Sequence, residues 1–129
     1  MTAVERVRLR AILQAHPLLT LHGFGEYEDP CRASPGGRRA LLAAIAEIDT
    51  ARAWLSGQQR IENLNLKQTS YGLKHMAERA MNRYIPNGAF IAAAMLDGWK
   101  VRRLPDSNPN AWLNISQKGL RPLNGGNAA

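Results

Sequence analysis

The chain has a single cysteine, Cys31, in 129 residues. No internal disulfide can form, so the expected compartment is a reducing one, the cytoplasm. Nowhere do about 18 apolar residues run together, which excludes a spanning helix. The N-terminus, MTAVERVRLRAILQAH, is threaded with charge and lacks the apolar stretch of a secretory signal. Metal-binding spacings are missing too. There is no C-x-x-C or H-x-x-x-H pair, and His16, His22 and Cys31 lie in a loop region without a local chelate. GFGE and PGGRR contain glycines but match neither nucleotide-binding fingerprint. Neither a cofactor nor a metal is expected.

Acidic residues are the other shortage. Asp and Glu number 10 against 17 Lys and Arg, a net charge of +7. Such a balance favours a polyanionic partner, either nucleic acid or a surface that imitates it. The excess is uneven: residues 1–37 carry four charges of each sign, whereas 70–104 carry six basic and two acidic groups. Glu26, Glu28 and Asp29 form the one acidic patch. Inside the basic part lies a stretch with no charge, YIPNGAFIAAAML, Tyr84 to Leu96.

Periodicity organises the rest. Val4, Val7, Ala11, Ile12 and Ala15 predict a helix over 3–15, stopped by Pro17. A Gly- and Pro-rich loop follows up to Gly37. Leu41, Leu42, Ile45, Ile48 and Leu55 predict one helix over 38–56, with Gly57 after it. Trp54 falls on the other side, where the N-terminal arm would cover it. Residues 61–67 partly alternate and read as a short strand. Thr69 or Ser70 can cap a helix over 70–84, whose stripe is Leu73, Met76, Ala77, Ala80, Met81 and Tyr84. Pro86 ends it. Asn87 can cap a further helix over 88–97, closed by Gly98. Two alternating runs around LPDSNPNA make a hairpin over 99–116.

The expected class is therefore α+β, mainly α with a C-terminal β-hairpin. From Arg38 the element order is that of a winged helix-turn-helix. Three parts are expected: an arm at 1–37, the winged-helix-like module at 38–118, and a disordered tail at 119–129.

In that arrangement helix 88–97 would enter a DNA groove, yet it offers alanines where base reading wants Arg, Lys, Asn or Gln. It reads instead as a helix buried on most sides. The expected nucleic-acid or partner contacts lie beside it: Lys74, Arg79, Arg83, Asn87, Lys100, Arg102, Arg103, Trp112 and Asn114. Basic groups interleaved with an aromatic suit phosphate contact and stacking. Tyr71, His75, Glu78 and Asn82 form a second polar face on helix 70–84. They could move a proton, but no nucleophile is set beside them, and no catalysis is expected.

SYGLKHMAE, YIPNGAFIAAA, the Gly98–Trp99 pair and NAWLNIS together resemble a recurrent signature of small proteins from phages, plasmids and integrated elements. The resemblance covers about residues 38–116, most strongly 69–116, and says little of activity. It implies a mobile-element context, in which such proteins act as transcriptional regulators, replication or transfer accessories, or inhibitors of host defence. The expected partner is nucleic acid, in the first place duplex DNA read with weak sequence specificity. The alternative is a host nucleic-acid-binding complex that the protein inhibits, as an anti-CRISPR or similar factor would. A homodimer through helix 88–97 is a third expectation. No membrane partner is expected.

Overall fold

Thr2 starts the first helix with a reciprocal cap. Its hydroxyl accepts from the Glu5 amide at 3.1 Å, and its own amide donates to the Glu5 carboxylate at 2.8 Å. The computed structural model describes residues 1–25 and 35–120. In chain order the elements are α1 (Ala3–Ala15), β1 (Leu19–Thr20), β2 (Gly23–Phe24), α2 (Pro35–Ala43), α3 (Ile45–Ser56), β3 (Arg60–Asn65), α4 (Ser70–Met81), α5 (Asn87–Leu96), β4 (Val101–Arg103) and β5 (Ala111–Ile115). The class is mixed α+β, with two small antiparallel sheets, β1-β2 and β3-β5-β4. Among the described residues no helix is long and apolar enough to cross a membrane.

Everything packs around α5. Nine of its ten residues are buried, and Phe90, Ile91 and Leu96 are wholly enclosed. Each of those three large side chains contributes about 1.5–3 kcal/mol of burial. The alanines between them let neighbours come close: α1, α3, α4 and β2 all lie against this helix. A helix apolar all round is an interior helix. Its burial on most sides was expected; with all but Met95 buried it presents almost no face to a second copy, and the structure gives no support to the expected dimer through helix 88–97.

The described part of the arm up to Gly25 belongs to the same core. Leu9, Leu13, Leu19 and Phe24 share one buried cluster with Ile48, Phe90 and Leu113. The tightest joint is at Gly88. Its amide donates to the Leu21 carbonyl at 2.8 Å, and a Cβ there would lie 1.7 Å from the Thr20 carbonyl oxygen.

A helix without charge needs its polar ends satisfied from outside. Three arginines converge on the C-terminal end of α5, where the helix dipole is negative. Arg8 donates to the Leu96 carbonyl. Arg60 donates to the Asp97 carbonyl at 2.7 Å while lying 4.3 Å from the Trp99 ring centroid. Arg52 holds both carboxylate oxygens of Asp97 at 3.0 Å and reaches Glu5 at 2.6 Å and Asp49 at 3.2 Å. Arg52 thereby ties α1 and α3 to the end of α5. Its hydrogen bond to Glu5, with that of the Thr2 amide, holds the Glu5 carboxyl at about 2. Those carboxylates in turn raise the pKa of Arg52.

Several local expectations shift. Helix 38–56 is two helices, broken at Ala44, although no Gly or Pro stands there. Arg38 donates to the carbonyls of Leu13, His16, Pro17 and Leu19, pinning α2 across the end of α1. Leu41 and Ile48 are buried, but Leu42 is exposed. On α1 the buried residues are Leu9 and Leu13, whereas Val4 and Val7 face solvent. Trp54 stacks at 6.0 Å on Phe90 of α5, not on the arm. Asn87 is the first residue of α5, behind Pro86 as N-cap, and makes no capping bond. Gly98 closes the helix with φ +81°. Cys31, the acidic patch at Glu26, Glu28 and Asp29, and the tail from 121 to 129 lie outside the described residues.

Two predictions follow from the packing and the ion cluster. Gly88→Ala drives a methyl into the β1-β2 backbone and costs about 3 kcal/mol. Gly72→Ala, whose Cβ would meet only Gln68 at 3.5 Å, gains about 0.5–1 kcal/mol from helix propensity. Urea unfolding of the two variants measures both. Because the folded value of Glu5 lies below its ordinary 4.5, its contribution is complete above about pH 4.5 and lost as pH falls through about 2. An acid titration of stability is therefore shallower in Glu5→Gln than in the wild type across that window.

Candidate nucleic-acid interface

Helix α4 buries Ser70, Leu73, Lys74 and Ala77, a helical stripe turned by about one residue from the expected one. The turn brings a lysine inside. Lys74 is 6% exposed. Its Nζ donates to Glu78 Oε2 at 3.3 Å and lies 5.3 Å from the Tyr71 ring centroid and 5.0 Å from that of Tyr84. Both distances are within cation–π range.

Glu78 organises the turn that follows. Its carbonyl accepts from the amides of Asn82, which adopts a left-handed conformation (φ 53°), and of Arg83. Its carboxylate accepts from the Ile85 amide at 2.9 Å and lies 2.9 Å from His75 Nδ1. Burial alone would push the Glu78 carboxyl up. The Ile85 amide and the Lys74 ammonium outweigh that and hold it below its ordinary value. His75 also meets the Tyr71 ring edge-on at 4.5 Å.

The helix thus ends at Met81, and Tyr84 does not belong to its stripe. It projects, 63% exposed, from a short turn anchored on both sides to Glu78. His75, Glu78, Arg79, Asn82, Arg83 and Tyr84 line an open depression of about 680 Å³. Arg79 and Arg83 are exposed, and their side chains have no hydrogen-bond or ion-pair partner among the described residues. The expected polar face, Tyr71, His75, Glu78 and Asn82, is assembled here. Tyr84 is the residue the sequence reading missed as a surface group. The signal for it was Asn82, a residue type that tolerates the left-handed stop of a helix.

The remaining expected contacts divide. Arg102 is exposed and stands directly opposite half-buried Trp112 across the β4–β5 pair. Lys100 is exposed, with its Nζ donating to the Glu62 carbonyl at 2.7 Å. Arg103 is committed inward, donating to the carbonyls of Asn108 and Gly25 beside the Phe24 ring. Three expected contacts are corrected because they are buried and their polar groups, Asn87 Oδ1 excepted, are taken within the fold. Lys74 is enclosed as described. Asn87 donates to Asn110 Oδ1 at 2.9 Å. Asn114 is buried because β3 covers it: its Oδ1 accepts from the Lys100 amide, and its Nδ2 donates to the Ile61 carbonyl.

A second set of exposed arginines, whose side chains have no partner among the described residues, lies elsewhere. Arg6, Arg10 and Arg39 border two smaller depressions between α1 and α2, of about 130 and 270 Å³. The sequence reading gave this arm no net charge. Glu5, however, is taken up by Arg52.

The chain matches no family model, no curated protein and no solved structure.

The Lys74–Glu78 pair yields a prediction. Glu78→Gln removes the charge that neutralises a buried ammonium and costs about 3 kcal/mol. Lys74→Met costs less, since Glu78 keeps the Ile85 amide and His75. In a double-mutant cycle the pair shows a coupling of about 1–3 kcal/mol, read from denaturant midpoints.

Proposed function

We propose that the chain is a small, non-enzymatic nucleic-acid-binding protein that grips its partner mainly through phosphates. The observation that carries this reading is the pair Arg79 and Arg83: exposed, unpartnered and set beside a concave surface with an exposed aromatic. Guanidinium groups of this kind take phosphate oxygens. Arg102 with Trp112 on the hairpin supplies a further contact of the same chemistry.

A winged-helix-like architecture fits the order α3, β3, α4, α5, β4, β5 and the sheet order β3-β5-β4. One departure shapes the reading. The helix that would enter a groove is α5, and it is enclosed. Base-edge readout from it is excluded by burial, which favours contacts that do not depend on sequence. In the cell, a regulatory or accessory role for a mobile element agrees with the resemblance of residues 69–116.

The enclosure of α5 also favours a second reading. Tyr71, Tyr84, Arg79 and Arg83 are side chains of the kind that anchor protein interfaces. On that reading the protein inhibits a host defence nucleoprotein by occupying a surface that normally holds nucleic acid.

Salt dependence separates the two. Binding of labelled oligonucleotides is expected to weaken steeply with salt. Arg79→Ala and Arg83→Ala each lower the slope of log affinity against log salt by about 0.7–0.9, while Arg6→Ala leaves it unchanged. Failure to shift any duplex or single strand at low salt would sink the nucleic-acid reading. A host nucleoprotein retained from nuclease-treated lysate, and lost with Arg79→Ala, would then support the inhibitor.

A further inference from the structure

The nucleic-acid reading leaves open whether the partner strand is paired. The geometry points to an unpaired one: we propose that Tyr84 and Tyr71, braced by the Lys74 ammonium, form a stacking platform for the bases of single-stranded nucleic acid. Arg79 and Arg83 hold the phosphates of the same strand. This inference rests on the nucleic-acid reading and narrows it.

Three observations carry it. First, both rings are exposed, Tyr71 at 53% and Tyr84 at 63%, although a tyrosine gains more by burial. Their positions are nevertheless constrained. Tyr84 stands between two residues, Arg83 and Ile85, whose amides are both bound by Glu78. Tyr71 is met by His75 at 4.5 Å. One buried ammonium lies near both rings. Fixed, exposed aromatic faces are what an unstacked base requires, and paired bases inside a duplex cannot reach them.

Second, the depression beside Tyr84 is shallow and open, about 680 Å³. A splayed strand can lie along it with its bases against the rings. Its one acidic group, Glu78, is compensated by Lys74 and by the Ile85 amide. A phosphate beside Arg79 and Arg83 therefore meets no free carboxylate from the residues that line the depression.

Third, the enclosed α5 removes the element a duplex reader would insert. A lysine buried beneath two exposed rings is accounted for by positioning: it braces a surface that is used. Lys74 is thus a positioning residue, and the rings and arginines make the contact.

Fluorescence anisotropy tests this with 5′-labelled oligo-dT, oligo-U and a blunt duplex of equal length. The single strands are expected to bind at least about tenfold tighter than the duplex. Tyr84→Ala lowers single-strand affinity by about tenfold, the scale of one lost stack. It leaves the salt slope and the duplex affinity unchanged, and Tyr84→Phe retains binding. Tyr84→Ala uncovers one side of Lys74, so a thermal melt of each variant verifies that the fold is kept. Lys74→Met weakens single-strand binding without lowering the slope; a direct phosphate contact would lower it by about 0.7. Equal affinity for duplex and single strand, with Tyr84→Ala indifferent and Arg79→Ala still lowering the slope, overturns the platform and keeps the phosphate reading. No binding to any of the three overturns both.

Discussion

The structure depends on the enclosure of one helix that carries no charge. Helix α5 has nothing polar along its sides, so every neighbour can approach it, and every neighbour does. Its glycine and alanines set the distances at which α1, α3, α4 and β2 pack. The same property makes it dependent on others at its ends. Arg8, Arg52 and Arg60 answer its C-terminal carbonyls and Asp97, and the Leu21 carbonyl takes its Gly88 amide. Apolar burial gives the helix its place, and hydrogen bonds from distant segments fix its ends.

This changes what the net charge means. A value of +7 invites the idea of a uniformly basic surface. In the structure many of the cations are braces. Arg38 gathers four carbonyls, Arg52 three carboxylates, and Arg103 two carbonyls, while Lys74 sits inside against Glu78. The positive groups still free to meet a partner are fewer and fall into local sets. The set on the turn after α4 is distinguished by the aromatic rings beside it and by the concave surface it borders.

Much of this was legible in the sequence, and the limits have physical reasons. The first helix, the short strand, the tight α4–α5 turn and the hairpin all follow from local periodicity and from Pro, Gly and Asn. The charge-free stretch identified α5 as interior. The break at Ala44 was not legible, since LLAAIAEI contains no breaker, and neither was the clasp of Arg38 on a segment some twenty residues earlier. Nor was the burial of Lys74. It depends on Tyr84 returning over α4 from beyond the helix end, a contact that periodicity on α4 alone cannot contain. Val4 and Val7 mislead for a related reason: α1 turns Leu9 and Leu13 inward, and propensity does not say which apolar residues win.

The placement of α5 also governs how the chain must fold. Arg8 meets the Leu96 carbonyl across 88 positions, and Gly88 meets the β1-β2 turn from nearly as far. Contacts so remote in sequence require large loops to close before they give anything back, and such topologies fold slowly for their size. On a ribosome α1 emerges before α5 and waits for its principal partner until the elements between them have been made. Until then Leu9, Leu13 and Leu19 have no α5 to cover them. The helix that makes the finished core so continuous thus leaves the earlier elements unfinished until it emerges itself.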